Sequence, residues 1–340
     1  MQRGVVAACC MLVIILDGRT AASSIQDGIK LCIQTVIPAL FPFFLLSGII
    51  CSAFLGRTFG PLKYLGRLCK VPAGCESLIL MGFLSGYPVG AQLITQAYKN
   101  GSISVNTARR MLGFCSNAGP AFLFGMCASL FSNKLLPWVL WGIHICGALT
   151  VAMVLPKEID SRCTITSASV ITVPQALRCA IINLSTVCGW IILFRLILGF
   201  CNRWFLWLIP VEIQVLVSGV LELSNGCVLL SQLPSEGMRF VLASLILSLG
   251  GVCVTMQTLS VVQDLGMGSY FPGKVIQALV SATVSCVLQP VLFSQSDRFM
   301  LPKPICHLLI ALTVAVLYSV GRKKVVAFRG RMMYNIDSFF

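Results

Sequence analysis

Gly82-Phe-Leu-Ser-Gly-Tyr-Pro-Val-Gly-Ala-Gln-Leu-Ile-Thr-Gln96 breaks an apolar run with Gly86, Pro88 and Gly90. A weak copy, Gly219-Val-Leu-Glu-Leu-Ser-Asn-Gly-Cys-Val-Leu-Leu-Ser-Gln232, lies in the second half of the chain. With one gap at Val89, Gly82, Leu84, Gly90, Leu93 and Gln96 fall on identical residues. In a membrane protein, two interrupted apolar segments at corresponding places in two halves point to a transport site.

Composition supplies the membrane. Apolar residues make up 57% of the 340 and charged residues 11%, against about 25% charged in soluble domains. The mean hydropathy is +0.91. Several runs approach the roughly 20 residues a helix needs to cross a hydrocarbon core. They are continuous rather than alternating, which excludes a barrel. The net charge of +14 sits mostly in short loops. That is where membrane topology places basic residues, so no nucleic-acid partner is expected. The 17 cysteines are an odd number, form no Cys-x-x-Cys pair, and are joined by only two histidines, His144 and His307. Metal sites need clustered ligands, so none is expected, nor any cofactor; the cysteines read as small packing residues.

The expected class is an all-α polytopic membrane protein with about eight spanning helices and two re-entrant hairpins. The spans are 1–16, 31–55, 109–131, 135–155, 176–200, 239–262, 273–294 and 302–320. The first is short for a span, and a signal peptide is its alternative. Segment 74–98 is flanked by Arg57, Lys63, Arg67 and Lys70 before it and Lys99, Arg109 and Arg110 after it. Positive flanks favour the cytoplasmic side. Both ends therefore want the same side, which suits a re-entrant hairpin; one kinked span is the alternative. Its irregular tip must face protein or water. Tracing the chain from a cytoplasmic N-terminus brings the second broken segment, 211–233, in from the opposite face. The same trace leaves the C-terminal tail inside, with Arg322, Lys323, Lys324, Arg329 and Arg331.

The resulting organisation has five parts. Residues 1–30 are an anchor and loop, and 31–155 a first repeat with its hairpin near 74–98. A cytoplasmic linker covers 156–175. Residues 176–294 are a second, inverted repeat with its hairpin near 211–233, and 295–340 hold a last span and a basic tail. A second alignment, Phe114–Gly125 on Ile246–Gln257, keeps Ser116/Ser248 and Gly119/Gly251 in the same order.

Deep polar residues are the site candidates, because intramembrane polar groups face a cavity or a partner. Substrate-binding candidates are Gly86, Tyr87, Pro88, Gln92, Asn117, Ser224, Asn225 and Gln257. Glu222 is the candidate for ion coupling, taking up a proton or Na⁺; a structural pair is its alternative. Asn117, Gln92 and Gln257 can equally be interhelical hydrogen bonds. Arg195 either snorkels to the interface or serves as counter-charge to an anion. Glu76 and Glu212 read as solvated ends. No phosphate loop, catalytic triad or His-Glu-x-x-His is present, so no enzyme is expected.

Several elements resemble the sporulation integral membrane proteins of YlbJ type. They are Pro38-Ala-Leu-Phe-Pro-Phe, Gly82-Phe-Leu-Ser-Gly-Tyr-Pro-Val-Gly-Ala91, Asn117-Ala-Gly-Pro, Leu221-Glu-Leu-Ser-Asn-Gly226 and Gly250-Gly-x5-Gln257. The resemblance covers roughly residues 30–290. It implies a relation to the gate domains of concentrative nucleoside transporters, and a role in moving dipicolinic acid across the outer forespore membrane. It also implies a serine and a histidine between Gly251 and Gln257, where this chain has Cys253 and Thr255. The expectation is a secondary transporter of a small anion, dipicolinate first, in the bacterial cytoplasmic membrane, mother-cell or outer forespore. A nucleoside or other small-metabolite carrier and a non-transporting scaffold for spore envelope assembly are the alternatives. A homo-oligomer is left open.

Overall fold

The computed structural model describes residues 2–54, 56–57, 60–156, 171–262, 265–299 and 308–318. The described residues form helices joined by turns, with no strand among them. Of the expected linker 156–175, residues 157–170 lie outside the described residues. So do 300–307 and the basic tail from 319 onward.

Helix α1 (Gln2–Leu16) meets α2 (Gly18–Leu31) at Asp17, whose side chain accepts the Thr20 backbone N–H. The expected span 31–55 thus starts inside a helix already under way. A π-turn at Cys32–Val36 leads into α3 (Ile37–Phe54). Pro38 explains the widening: its ring crowds the carbonyl four residues back and removes one donor.

Next come α4 (Gly60–Cys69), α5 (Glu76–Ser85) and α6 (Val89–Lys99). Helix α7 (Val105–Cys115) breaks over 116–119 before α8 (Pro120–Phe122) and a second π-turn at Leu123–Cys127. Helix α9 is Leu136–Val154 and α10 is Val173–Trp204. The Thr172–Gln175 capping box and Pro174 start α10. Then follow α11 (Val211–Leu221), α12 (Leu223–Leu230), α13 (Glu236–Leu249), α14 (Gly251–Val262) and α15 (Tyr270–Leu292). Residues Leu308–Tyr318 form a short apolar helix.

Among the described residues, six helices or broken helices are long and apolar enough to cross a membrane: Gly18–Phe54, Val105–Leu130, Leu136–Val154, Val173–Trp204, Glu236–Val262 and Tyr270–Leu292. The other two expected spans are represented by Gly4–Leu16 and Leu308–Tyr318. As described, each is shorter than a crossing takes. Leu177, Ile181, Leu193 and Ile197 of α10 and Val275, Val287 and Val291 of α15 are exposed. Apolar surface of that extent belongs against lipid.

Both broken segments fold back on themselves. Eight residues of unbroken helix would hold Gly82 and Gly90 about 12 Å apart. Instead a Cβ on Gly90 would stand 3.2 Å from the Gly82 Cα. In the second segment a Cβ on Gly226 would overlap the Gly219 Cα. A single kinked helix cannot bring these residues together, so the chain reverses at each break. The two glycine pairs are the pairs matched in the sequence repeat, and each is the point where the two legs touch.

The helix after each hairpin is also broken. In α7–α8 the break ends at Gly119-Pro120. Between α13 and α14 it falls at Gly250 and Gly251, with φ of +80° and +75°. A Cβ on Gly86 would lie 2.7 Å from the Gly119 amide nitrogen, and one on Gly251 would lie 2.9 Å from the Gly219 carbonyl oxygen. Each broken helix therefore packs against its own hairpin without side chains between them, an approach that only glycine permits.

Glu76 departs from its expected solvated place. It is buried, and its Oε2 accepts the Gly74 N–H at 2.6 Å. The first turn of α5 packs on Gly66 of α4, where a Cβ would overlap the Glu76 side chain. Cysteines 32, 69, 75, 115, 127, 227 and 253 are buried. That is the packing role expected of small residues. No metal-holding cluster occurs among the described residues.

Candidate functional site

The two hairpin tips border one cavity. From the first hairpin come Ser85, Gly86 and Tyr87; from the second, Glu222, Leu223 and Ser224. Gly119 and Ala121 of the first broken helix and Val254 and Gln257 of the second complete the middle. Helices α3 and α10 close one side with apolar residues such as Phe44 and Ile191. The cavity volume is about 40 Å³. That holds two or three waters and is too small for an aromatic diacid, so this conformation is closed.

The tips differ in charge. Glu222 caps α12: Oε1 accepts the Ser224 N–H at 2.9 Å, and Oε2 accepts the Asn225 N–H and the Asn225 Nδ2 at 2.7 Å each. A carboxylate at a helix N-terminus satisfies donors that have no partner within the helix and complements its dipole. Helix α6 has no such cap. Its N-cap is Pro88, with no side-chain hydrogen bond, and its positive end lies at the tip of the first hairpin.

Behind Tyr87 lies a buried lysine amine. Lys274, 3% exposed, donates from Nζ to Tyr87 Oη and to Gln277 Oε1, both at 3.0 Å. The Tyr87 and Tyr270 rings stand 5.0 and 6.0 Å from Nζ, close enough for cation–π attraction. Neither of the two ion pairs among the described residues involves Lys274. Burying a cation without a counter-charge is costly.

Gln277 continues the network. Its Nε2 donates to Asn117 Oδ1 at 3.0 Å and to the His144 carbonyl at 3.1 Å. His144 Nε2 accepts the Ala118 N–H at 3.1 Å, a backbone donor freed by the break in α7–α8. The proton then sits on Nδ1, which faces Ser248 Oγ at 3.2 Å. This one chain of hydrogen bonds thereby ties together the first tip, both broken helices, α9 and α15.

The expected site residues therefore separate. Gly86, Tyr87, Ser224, Gln257 and Glu222 line the cavity. Pro88 is buried beside them without lining it. Asn117 faces Gln277 in the network behind the tip. Asn225 faces Glu222 and Arg195. Gln92 donates to Asn183 Oδ1 at 3.0 Å and so joins α6 to α10. Of the two positions where serine and histidine were expected, Cys253 accepts from Gln257 at 3.4 Å, and Thr255 bonds its own helix at Gly251; neither lines the cavity. Arg195 does not snorkel: Nη1 donates to Asn225 Oδ1 at 2.9 Å and Nη2 to Asp27 Oδ2 at 3.2 Å.

Lys274, Gln277, His144 and Ser248 were not singled out by sequence reasoning. Lys274 sits near the start of an apolar run, where a lysine reads as an interfacial flank. His144 and Gln277 were visible as polar residues inside apolar runs, and the rule that flagged Asn117 applies to them equally.

The chain is 25% identical over 316 residues to the sporulation integral membrane protein YlbJ of Bacillus subtilis (strain 168). The match covers 79% of this chain and 78% of that protein. No family profile matches the chain. No solved structure matches it. Similarity to a named integral membrane protein, together with six long apolar helices, makes this chain an integral membrane protein.

Proposed function

We propose that the protein is a secondary transporter of a small anionic solute, working by alternating access between its two hairpin-containing halves. One observation carries the reading: the tips of two repeat-related hairpins share a cavity, with the buried side-chain amine of Lys274 one hydroxyl behind it. The first tip offers positive potential from Lys274 and the uncapped N-terminus of α6. A carboxylate solute binds toward that side, with Gly86, Tyr87, Ser224 and Gln257 around it. Glu222, on the other side, takes up the coupling proton or Na⁺. Because the cavity is closed, binding requires one hairpin to move.

The hairpins are read as re-entrant from opposite membrane faces, making inverted repeats in a fold like a nucleoside-transporter gate domain. Both termini then lie in the cytoplasm. The resemblance to sporulation membrane proteins directs the choice of solute to dipicolinate and the location to the mother-cell or outer forespore membrane. No catalytic chemistry is assigned.

The test is uptake of radiolabelled dipicolinate by proteoliposomes carrying the purified chain. Uptake that is saturable and driven by a proton or Na⁺ gradient is expected. Uptake of nucleosides alone would replace the substrate. Uptake of neither, by folded protein, would leave a membrane scaffold and overturn the reading.

A further inference from the structure

A second cavity, of about 420 Å³, lies between α2, α10 and the second hairpin. On α2 it is lined by Thr20, Ser23, Ser24 and Asp27, spaced as one helix face. On α10 the facing residues include Arg195, Asn202 and Arg203. The hairpin contributes Gln214, Ser218 and Gln232. The two helices meet closely beside it at Gly28, where a Cβ would lie 3.2 Å from the Ile192 Cα.

Such a lining has no place against lipid. Polar faces on neighbouring membrane helices turn toward protein or water. The cavity reaches well inward: nine residues, about 14 Å of helix, separate Arg195 from the end of α10 at Trp204. At its floor stands Arg195, with its fork divided between Asp27 and Asn225. Asn225 in turn holds Glu222 at the tip of the second hairpin. The floor is thus joined to the closed tip cavity by a chain of three hydrogen-bonded side chains.

We propose that this cavity is a water-filled vestibule and that Arg195 is its carboxylate-binding residue. This rests on the transporter reading and names the route by which the solute meets the second hairpin. The vestibule has room that the tip cavity lacks. Its lining carries two guanidiniums against one carboxylate, Asp27; Arg203 is balanced from beyond the lining by Asp17 at 3.9 Å. Asp27 is more than half exposed, so a carboxylate can displace it from Nη2 at little cost. The second oxygen of the solute takes Nη1, giving the two-pronged pairing that guanidinium favours. Asn225 is then released from Arg195, and the second hairpin loses one tie to α10.

The test uses full-length protein in liposomes, with exposed cysteines 9, 10, 146 and 179 replaced by serine. Asn202→Cys reports on the vestibule and Leu193→Cys on the lipid-facing side of the same helix. Two impermeant methanethiosulfonate reagents, one anionic and one cationic, are compared after normalising to a free thiol. Asn202→Cys is expected to react faster than Leu193→Cys. It should also prefer the anionic over the cationic reagent by about fourfold, the ratio that one unit charge some 10 Å away, seven residues along the helix, produces in water between oppositely charged reagents. Adding Arg195→Gln abolishes the preference, Arg195→Lys retains it, and Asp27→Asn increases it. Millimolar dipicolinate slows labelling in the Arg195 protein only. Labelling of Asn202→Cys no faster than Leu193→Cys overturns the vestibule. A preference or protection unchanged in Arg195→Gln overturns the role of Arg195. Charge preference and protection without uptake uphold the site while overturning the transporter reading.

Discussion

Replacing Gly86 with alanine tests the first hairpin most directly. Gly86 has φ +74° and ψ −171°, a region that essentially only glycine enters and that costs other residues about 1–3 kcal/mol. A Cβ there would also stand 2.7 Å from the Gly119 nitrogen and 2.8 Å from its Cα. Both are backbone atoms, so no side chain can swing aside. Overpacking of this kind adds about 1–3 kcal/mol, for a total of about 2–6 kcal/mol. Gly142→Ala is the control. It lies within α9 and a Cβ there meets nothing within 4 Å, so helix propensity alone should stabilise it by about 1 kcal/mol. Equilibrium unfolding in mixed micelles, followed by circular dichroism, measures both. The folded fraction of Gly86→Ala should also lose dipicolinate uptake. Stability within about 0.5 kcal/mol of the parent, the range of neutral surface changes, would refute the packing of the tip on Gly119.

Three further outcomes are expected. Lys274→Met should leave stability unchanged or raised, because an apolar residue spares the cost of burying an amine without a counter-charge, yet abolish uptake; normal uptake would remove Lys274 from the site. Glu222→Gln should keep dipicolinate binding, measured by equilibrium dialysis, but lose dependence of uptake on the ion gradient; unchanged dependence would make Glu222 only the cap of α12. Cysteines placed at Arg67 and Asn100, at the two ends of the first hairpin, should label from the same membrane side; labelling from opposite sides would mean that the segment between them crosses the bilayer.

Much of the fold was legible along the chain because its causes are local. Long apolar runs demand helices in lipid, since no water is there to bond the backbone. Gly86, Pro88 and Gly90 mark one break and Glu222 to Gly226 the other. The matched glycine pairs, Gly82 with Gly90 and Gly219 with Gly226, became the contacts that close the hairpins. Burial of a single polar group has no such local cause. Lys274 would reach the interface from an isolated helix. It is buried because α15 crosses α7 where Gly273 meets Gly113, and because Tyr87 of the distant first hairpin covers its ammonium. Asn117 and Gln92 carried the same local signal as Gln257, yet Gln277 and Asn183 claimed them, and only Gln257 faces the cavity. Arg195 had two readings in the sequence, and it is held by Asp27 and Asn225, from elements far away in the chain. The sequence by itself determined a helical membrane protein with two repeat-related breaks, because lipid and glycine act on each segment alone. Tertiary structure decided which polar groups face the cavity, because that depends on how segments far apart in the chain cross one another.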